Sequence, residues 1–158
     1  MNWLKLLVLP FGMSFLAAVA ATPLVIRLYR KLGWLDDPRQ SSHPKVVHTY
    51  PVPRGGGIPI GIAVSWGSLW LLGWDRHLAG ILAGAAVVTG LGIWDDRKDI
   101  NPYWRLAGGV IAAAMVVGAG IGIEFVSNPF GGIIGLNQFM ADAFAIVWIV
   151  WLMNMVNW

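Results

Sequence analysis

The stretch Gly92-Ile93-Trp94-Asp95-Asp96-Arg97-Lys98-Asp99-Ile100-Asn101-Pro102 closes an apolar run that begins at Ile81. It carries three of the eight acidic residues of the chain. Each such charge costs roughly 2.5–3.5 kcal/mol at the centre of a bilayer, so the cluster belongs at a membrane edge or in a watery cavity. An oily helix that delivers adjacent carboxylates to its end reads as a membrane span with a polar site at its mouth.

The rest of the chain agrees. Its 158 residues are 57% hydrophobic and only 12% charged, with ten Trp and no Cys. A soluble domain carries about 25% charged residues, so this is the composition of a membrane protein. Trp concentrates at headgroup depth. The lack of Cys removes disulfides, thiolate nucleophiles and cysteine-bound zinc. The net charge of +3 is small, its distribution matters more than its sum, and no nucleic-acid partner is expected.

Working outward, apolar runs predict five spans at about residues 4–26, 57–74, 78–94, 103–123 and 143–156. The fold class expected is an all-α polytopic membrane protein with a small external β-hairpin, forming a single transmembrane domain over residues 1–158. The first run has features of a signal peptide, Lys5 and Ala18-Val19-Ala20. It continues into Arg27, Arg30 and Lys31, however, which reads as a stop at the cytoplasmic face. Asn101 is the expected N-cap of the fourth helix, with Pro102 at its first position. Residues 124–139 read as strand, turn, strand around Asn128-Pro129-Phe130-Gly131-Gly132. Gly57/Gly61, Gly80/Gly84 and Gly118/Gly122 have the spacing of close helix packing.

Nine of the eleven Lys and Arg fall in the loops 27–57 and 95–105, and only Lys5 and Arg76 lie opposite. The positive-inside rule therefore predicts an external N-terminus and hairpin, with both loops and the chain end in the cytoplasm.

Asp95 and Asp96, about 100° apart on a helix, suit different tasks, one helping a hard cation and the other acting as base or orienting a phosphate. Mg²⁺ often takes only one or two carboxylates, with substrate phosphates and water completing its shell. The start of the next helix, with Arg105 on its first turn, can receive a phosphate. The first loop adds His43, Lys45, His48, Thr49, Arg54 and Gly55-Gly56-Gly57. Those glycines allow close approach to an anion. Asn154 and Asn157 share a face at the end of the last span, where amides can bind a metal or a base edge, or pair with a neighbouring helix. Each feature also has a simpler explanation, namely a solvated helix end or a basic loop on anionic lipid.

Three motifs occur in order: Gly33-Trp34-Leu35-Asp36-Asp37-Pro38 followed by His48-Thr49-Tyr50-Pro51-Val52-Pro53-Arg54-Gly55-Gly56-Gly57; Gly92 through Ile100; and Asn154-Met155-Val156-Asn157. Together they resemble the polyprenyl-phosphate N-acetylhexosamine-1-phosphate transferases. The resemblance implies transfer of a sugar-1-phosphate, GlcNAc-1-phosphate by similarity to the bacterial GlcNAc-type branch, from a UDP-N-acetylhexosamine to polyprenyl phosphate. The reaction would need Mg²⁺, with Mn²⁺ as a substitute, and would release UMP. Asp95 and Asp96 match the catalytic aspartate pair. His48, Arg54, Arg105 and Asn154 match substrate-contacting positions, and Asn157 matches an asparagine near the metal. The resemblance further implies the bacterial inner (plasma) membrane, a cytoplasmic active site and a homodimer. Gly108 and Gly109 depart from it, because related chains often carry Gln there. Family members also continue past a residue equivalent to Trp158 with another aspartate and a His-rich loop. The chain thus resembles the N-terminal half of such an enzyme, and no turnover is expected of it alone. The competing expectation is a non-catalytic membrane module that binds anionic lipid or a partner. A different membrane phosphotransferase would need a longer spaced array of aspartates than Asp95, Asp96 and Asp99.

Overall fold

The computed structural model describes residues 4–38 and 48–156. The protein is an all-α polytopic membrane protein with two small antiparallel sheets. A π turn, Leu4–Val8, leads into α1 (Leu9–Leu32), followed by β1 (Leu35–Asp36), β2 (Val52–Pro53), α2 (Gly57–Leu71), α3 (Arg76–Lys98), α4 (Pro102–Gly118), β3 (Phe125–Ser127), β4 (Ile133–Gly135) and α5 (Gln138–Val156). Three helical stretches, Leu6–Leu32, Arg76–Lys98 and Gln138–Val156, are long and apolar enough to cross a membrane. The other two expected spans, α2 and α4, are apolar helices of 15 and 17 residues.

The chain divides into two compact units, Met1–Gly73 with Gly92–Asp99, and Trp74–Leu91 with Ile100–Trp158. In both, small residues are buried and large apolar ones face outward. Six of the eleven buried hydrophobic residues among those described are alanines, whereas Phe11, Leu16, Trp70 and Val147 are exposed. That is the pattern of helices that pack backbone to backbone and turn their large side chains to lipid.

In the first unit α1 packs along α2. Gly67 faces Ser14, whose Oγ would lie 2.7 Å from an added Cβ and would have to rotate away. The helix α1 runs past the expected end near residue 26, because Arg27 to Leu32 are good helix formers and nothing stops them until Gly33. Gly33 takes φ 71°, and the Trp34 N–H returns 3.0 Å to the Tyr29 carbonyl, ending the helix in a left-handed turn.

In the second unit the Asp75 carboxylate accepts the Leu78 N–H at 2.8 Å and caps α3. Gly80 and Gly84 face α4, where added Cβ atoms would lie 3.0 Å from the Met115 and Ala112 carbonyl oxygens. This pair packs as its spacing predicts. Gly57 and Gly118 do not, since nothing lies within 4 Å of a Cβ at either. Asn101 caps α4 as expected, its Oδ1 accepting the Tyr103 N–H at 3.0 Å. The helix α4 stops at Gly118, short of residue 123, where Gly120 turns to φ 96°.

The hairpin falls at its expected place. Asn128 Oδ1 accepts the Phe130 N–H, Gly131 and Gly132 have positive φ, and β3 pairs with β4 in the register Val126↔Ile134. The helix α5 begins at Gln138, earlier than residue 143, because Asn137 Oδ1 accepts the Met140 N–H at 2.9 Å. It packs against α4.

Candidate functional site

Asp95 and Asp96 lie half-buried in the last turn of α3, with Arg97 and Lys98 following as cations suited to a helix C-terminus. The helix closes through the Asp99 N–H, which donates 2.9 Å to the Asp95 carbonyl. Asp99 itself takes φ 43°, a left-handed conformation that Asp tolerates better than most residues.

Tyr29 anchors the acidic turn to α1. Its hydroxyl donates 2.9 Å to Asp96 Oδ2 across 67 residues of sequence. Among the described residues it is the one large side chain that is fully buried. Its ring meets Trp34 edge-on at 5.3 Å and 89°, and the Arg97 guanidinium carbon stands 5.8 Å from the Trp34 ring centre. The opposite wall is Gly55, where a Cβ would come within 2.5 Å of Tyr29 Cζ. Only glycine leaves that ring its place.

The β1–β2 ladder supplies the remaining polar groups. Leu35 pairs with Pro53 and Asp36 with Val52, so Arg54 leaves β2 on the face of Asp36. Arg54 Nη2 donates 2.9 Å to Asp36 Oδ1, and Nη1 donates 2.6 Å to Asp99 Oδ1. His48 Nε2 donates 3.1 Å to the Asp36 carbonyl and lies 3.8 Å from Asp36 Oδ2. The hydrogen bond to Asp36, ahead of the one to Asp99, pushes the Arg54 guanidinium above its already high pKa, so it is a permanent cation.

The structure therefore brings together Asp96, His48 and Arg54 from the expected set, through Tyr29, Asp36 and Asp99. Arg105 and Asn154 belong to the second unit. Arg105 is exposed near the start of α4. The Asn154 amide donates 2.8 Å to the Val150 carbonyl of its own helix. Asn157, His43 and Lys45 lie outside the described residues. Gly55 makes room for Tyr29, and the Gly56 N–H is turned to the Arg54 carbonyl at 2.7 Å. The Leu91 side chain occupies the space beside Gly108, its Cδ1 lying 1.8 Å from an added Cβ, so any side chain there requires Leu91 to move.

Among the described residues no group of three or more His, Cys, Asp or Glu could hold a metal ion. The donor set at the end of α3 is two adjacent carboxylates with hard oxygens. That set fits a cation that keeps water and takes further oxygens from a phosphate ligand, and it does not fit a closed all-protein cage.

Residues 78–158 match the family described as glycosyl transferase family 4. The chain is similar to a probable undecaprenyl-phosphate N-acetylglucosaminyl 1-phosphate transferase of Bacillus subtilis, with 30% identity over 96% of this chain and 41% of that protein. It is similar to a decaprenyl-phosphate N-acetylglucosaminephosphotransferase of Mycobacterium tuberculosis, with 27% identity over 87% of this chain and 36% of that protein. A phospho-N-acetylmuramoyl-pentapeptide-transferase of Lactobacillus gasseri shows 28% identity over 94% of this chain and 51% of its own length. The chain thus spans between about a third and a half of these relatives. No solved structure matches it.

Proposed function

We propose, from the premise that this chain belongs to glycosyl transferase family 4, that it forms part of a membrane enzyme transferring N-acetylhexosamine-1-phosphate to polyprenyl phosphate. The donor is a UDP-N-acetylhexosamine, with GlcNAc favoured by the names of two relatives. The observation that carries this reading is Asp96 held by buried Tyr29 at the end of an apolar helix, in one unit with the Arg54–Asp36–Asp99 cluster.

A phosphate oxygen of the lipid attacks the β-phosphorus of the donor. The bond from that phosphorus to the bridging oxygen breaks, and UMP leaves with the electron pair. Asp95 and Asp96 organise the lipid phosphate and keep it deprotonated. Mg²⁺, or Mn²⁺ in its place, would be held by Asp95 and Asp96, with Asn157 near it, and would neutralise the phosphate charge. Arg105 grips the diphosphate, Asn154 faces the nucleotide, and His48 and Arg54 order the loop that borders the substrate.

All five helices are taken as membrane spans in this reading, α2 and α4 being the shorter apolar ones. The cation distribution favours a cytoplasmic acidic turn. The test is UMP release by the intact membrane protein carrying this chain, given UDP-GlcNAc or another UDP-N-acetylhexosamine, polyprenyl phosphate and Mg²⁺. Asp96→Asn should lower the rate by about 100-fold or more. Release unchanged by that substitution would refute the site. No release from any UDP-N-acetylhexosamine would favour a lipid-binding module.

A further inference from the structure

We propose that Tyr29 is a positioning residue for the Asp96 carboxylate as a cation ligand, and that Gly55 is the residue that allows it to act; this rests on the assignment of Asp96 to the transferase site. The side chain is fully buried, yet its one polar atom is spent on Asp96 Oδ2 at 2.9 Å rather than on a helix carbonyl. Three contacts fix its direction: the Trp34 ring edge, the Gly55 backbone, and the turn in which the Trp34 N–H returns to the Tyr29 carbonyl.

A carboxylate at a helix end can swing between rotamers. One oxygen tied to a rigid phenol restricts that swing and aims the remaining lone pairs. Groups that orient a ligating carboxylate from behind typically change metal affinity or activity by about 10–100-fold when removed. Tyr29 touches no reacting atom in this scheme and acts only through Asp96.

The experiment uses the intact membrane protein as wild type, Tyr29→Phe and Gly55→Ala. Phenylalanine keeps the ring against Trp34 and Gly55 and deletes only the hydroxyl. Alanine at Gly55 displaces the ring while leaving the hydroxyl present. Binding of Mn²⁺ alone, without substrates, is followed by electron paramagnetic resonance, with the thermal midpoint recorded beside it. We expect Mn²⁺ affinity in Tyr29→Phe to fall about tenfold or more at an unchanged midpoint, with Gly55→Ala moving in the same direction. A merely structural tyrosine would shift the midpoint and leave Mn²⁺ affinity within twofold, which would overturn the proposal. So would a wild type that binds no Mn²⁺. A wild type that binds Mn²⁺ with the expected Tyr29 dependence, but transfers nothing from any UDP-N-acetylhexosamine, would support the role of Tyr29 and sink the transferase reading.

Discussion

Arg54 Nη1 stands 2.6 Å from Asp99 Oδ1 and, with its other nitrogen, 2.9 Å from Asp36 Oδ1, so one guanidinium ties the loop before α2 to both β1 and the end of α3. The two pairs are unequal. The Asp36 side chain is 22% exposed and the Asp99 side chain 76%. Water screens the second far more than the first. A double-mutant cycle on chemical unfolding should give a coupling of roughly 1–2 kcal/mol for Arg54 with Asp36. For Arg54 with Asp99 it should give at most about 0.5 kcal/mol. The reverse order would contradict the assignment of Asp36 as the main anchor.

Helix contact in the second unit depends on where glycines lie, and two alanine substitutions separate the cases. At Gly80 a Cβ would fall 2.3 Å from the Ala119 Cβ and 3.0 Å from the Met115 carbonyl, so neither side can yield cheaply. Gly80→Ala should cost about 1–3 kcal/mol. At Gly90, inside α3 with nothing within 4 Å, Gly→Ala should gain about 0.5–1 kcal/mol through reduced backbone freedom in the unfolded chain. Thermal unfolding in detergent checks both signs.

The centres of the helices and the hairpin around Asn128 and Gly131 follow from local signals, namely apolar run length and turn chemistry. The helix ends do not follow from hydrophobicity. They are set by Asp75, Asn137 and Gly33, whose capping roles depend on backbone geometry. The same limit applies to glycine pairs, because spacing alone cannot separate Gly80 from Gly118. Asp95, Asp96, His48 and Arg54 were legible as motif members. Tyr29 was not, since its significance comes from a partner 67 residues away. The one available hint is that it continues the buried Ala21, Val25 row at four-residue spacing and is the polar member of that row. Strands β1 and β2 have two residues each and no pattern long enough to see.

The N-terminus of α4 offers a direct test of its cap. Asn101→Ala removes the acceptor for the Tyr103 N–H and should cost about 1 kcal/mol, whereas Asn101→Asp should retain the stability. Amide exchange over the first turn of α4 reads the difference. Equal protection in the alanine and aspartate variants would show that the side chain contributes nothing.

Asp75 gives the second unit a dependence on acid. Its pKa is lowered first by the Leu78 N–H and then by His77, whose Nδ1 lies 2.9 Å from Asp75 Oδ2. A carboxyl with a depressed folded pKa adds stability that is fully present above its unfolded value of about 4 and is lost as pH falls through the folded value. The wild-type thermal midpoint should therefore decline below about pH 4 more steeply than that of Asp75→Asn, which keeps a capping oxygen without the charge. Parallel curves for the two proteins would contradict the linkage.

In the proposed reaction the sugar moves together with the phosphate attached to it. The most direct measurement supplies the intact membrane protein with UDP-N-acetylhexosamine carrying a radiolabelled β-phosphorus, together with polyprenyl phosphate and Mg²⁺, and follows the label into the lipid extract. The label should enter the lipid in a one-to-one ratio with UMP released, and Asp96→Asn should suppress it by about 100-fold or more. A lipid that gains sugar without labelled phosphorus, or one that gains nothing while the protein binds anionic vesicles, would contradict the account.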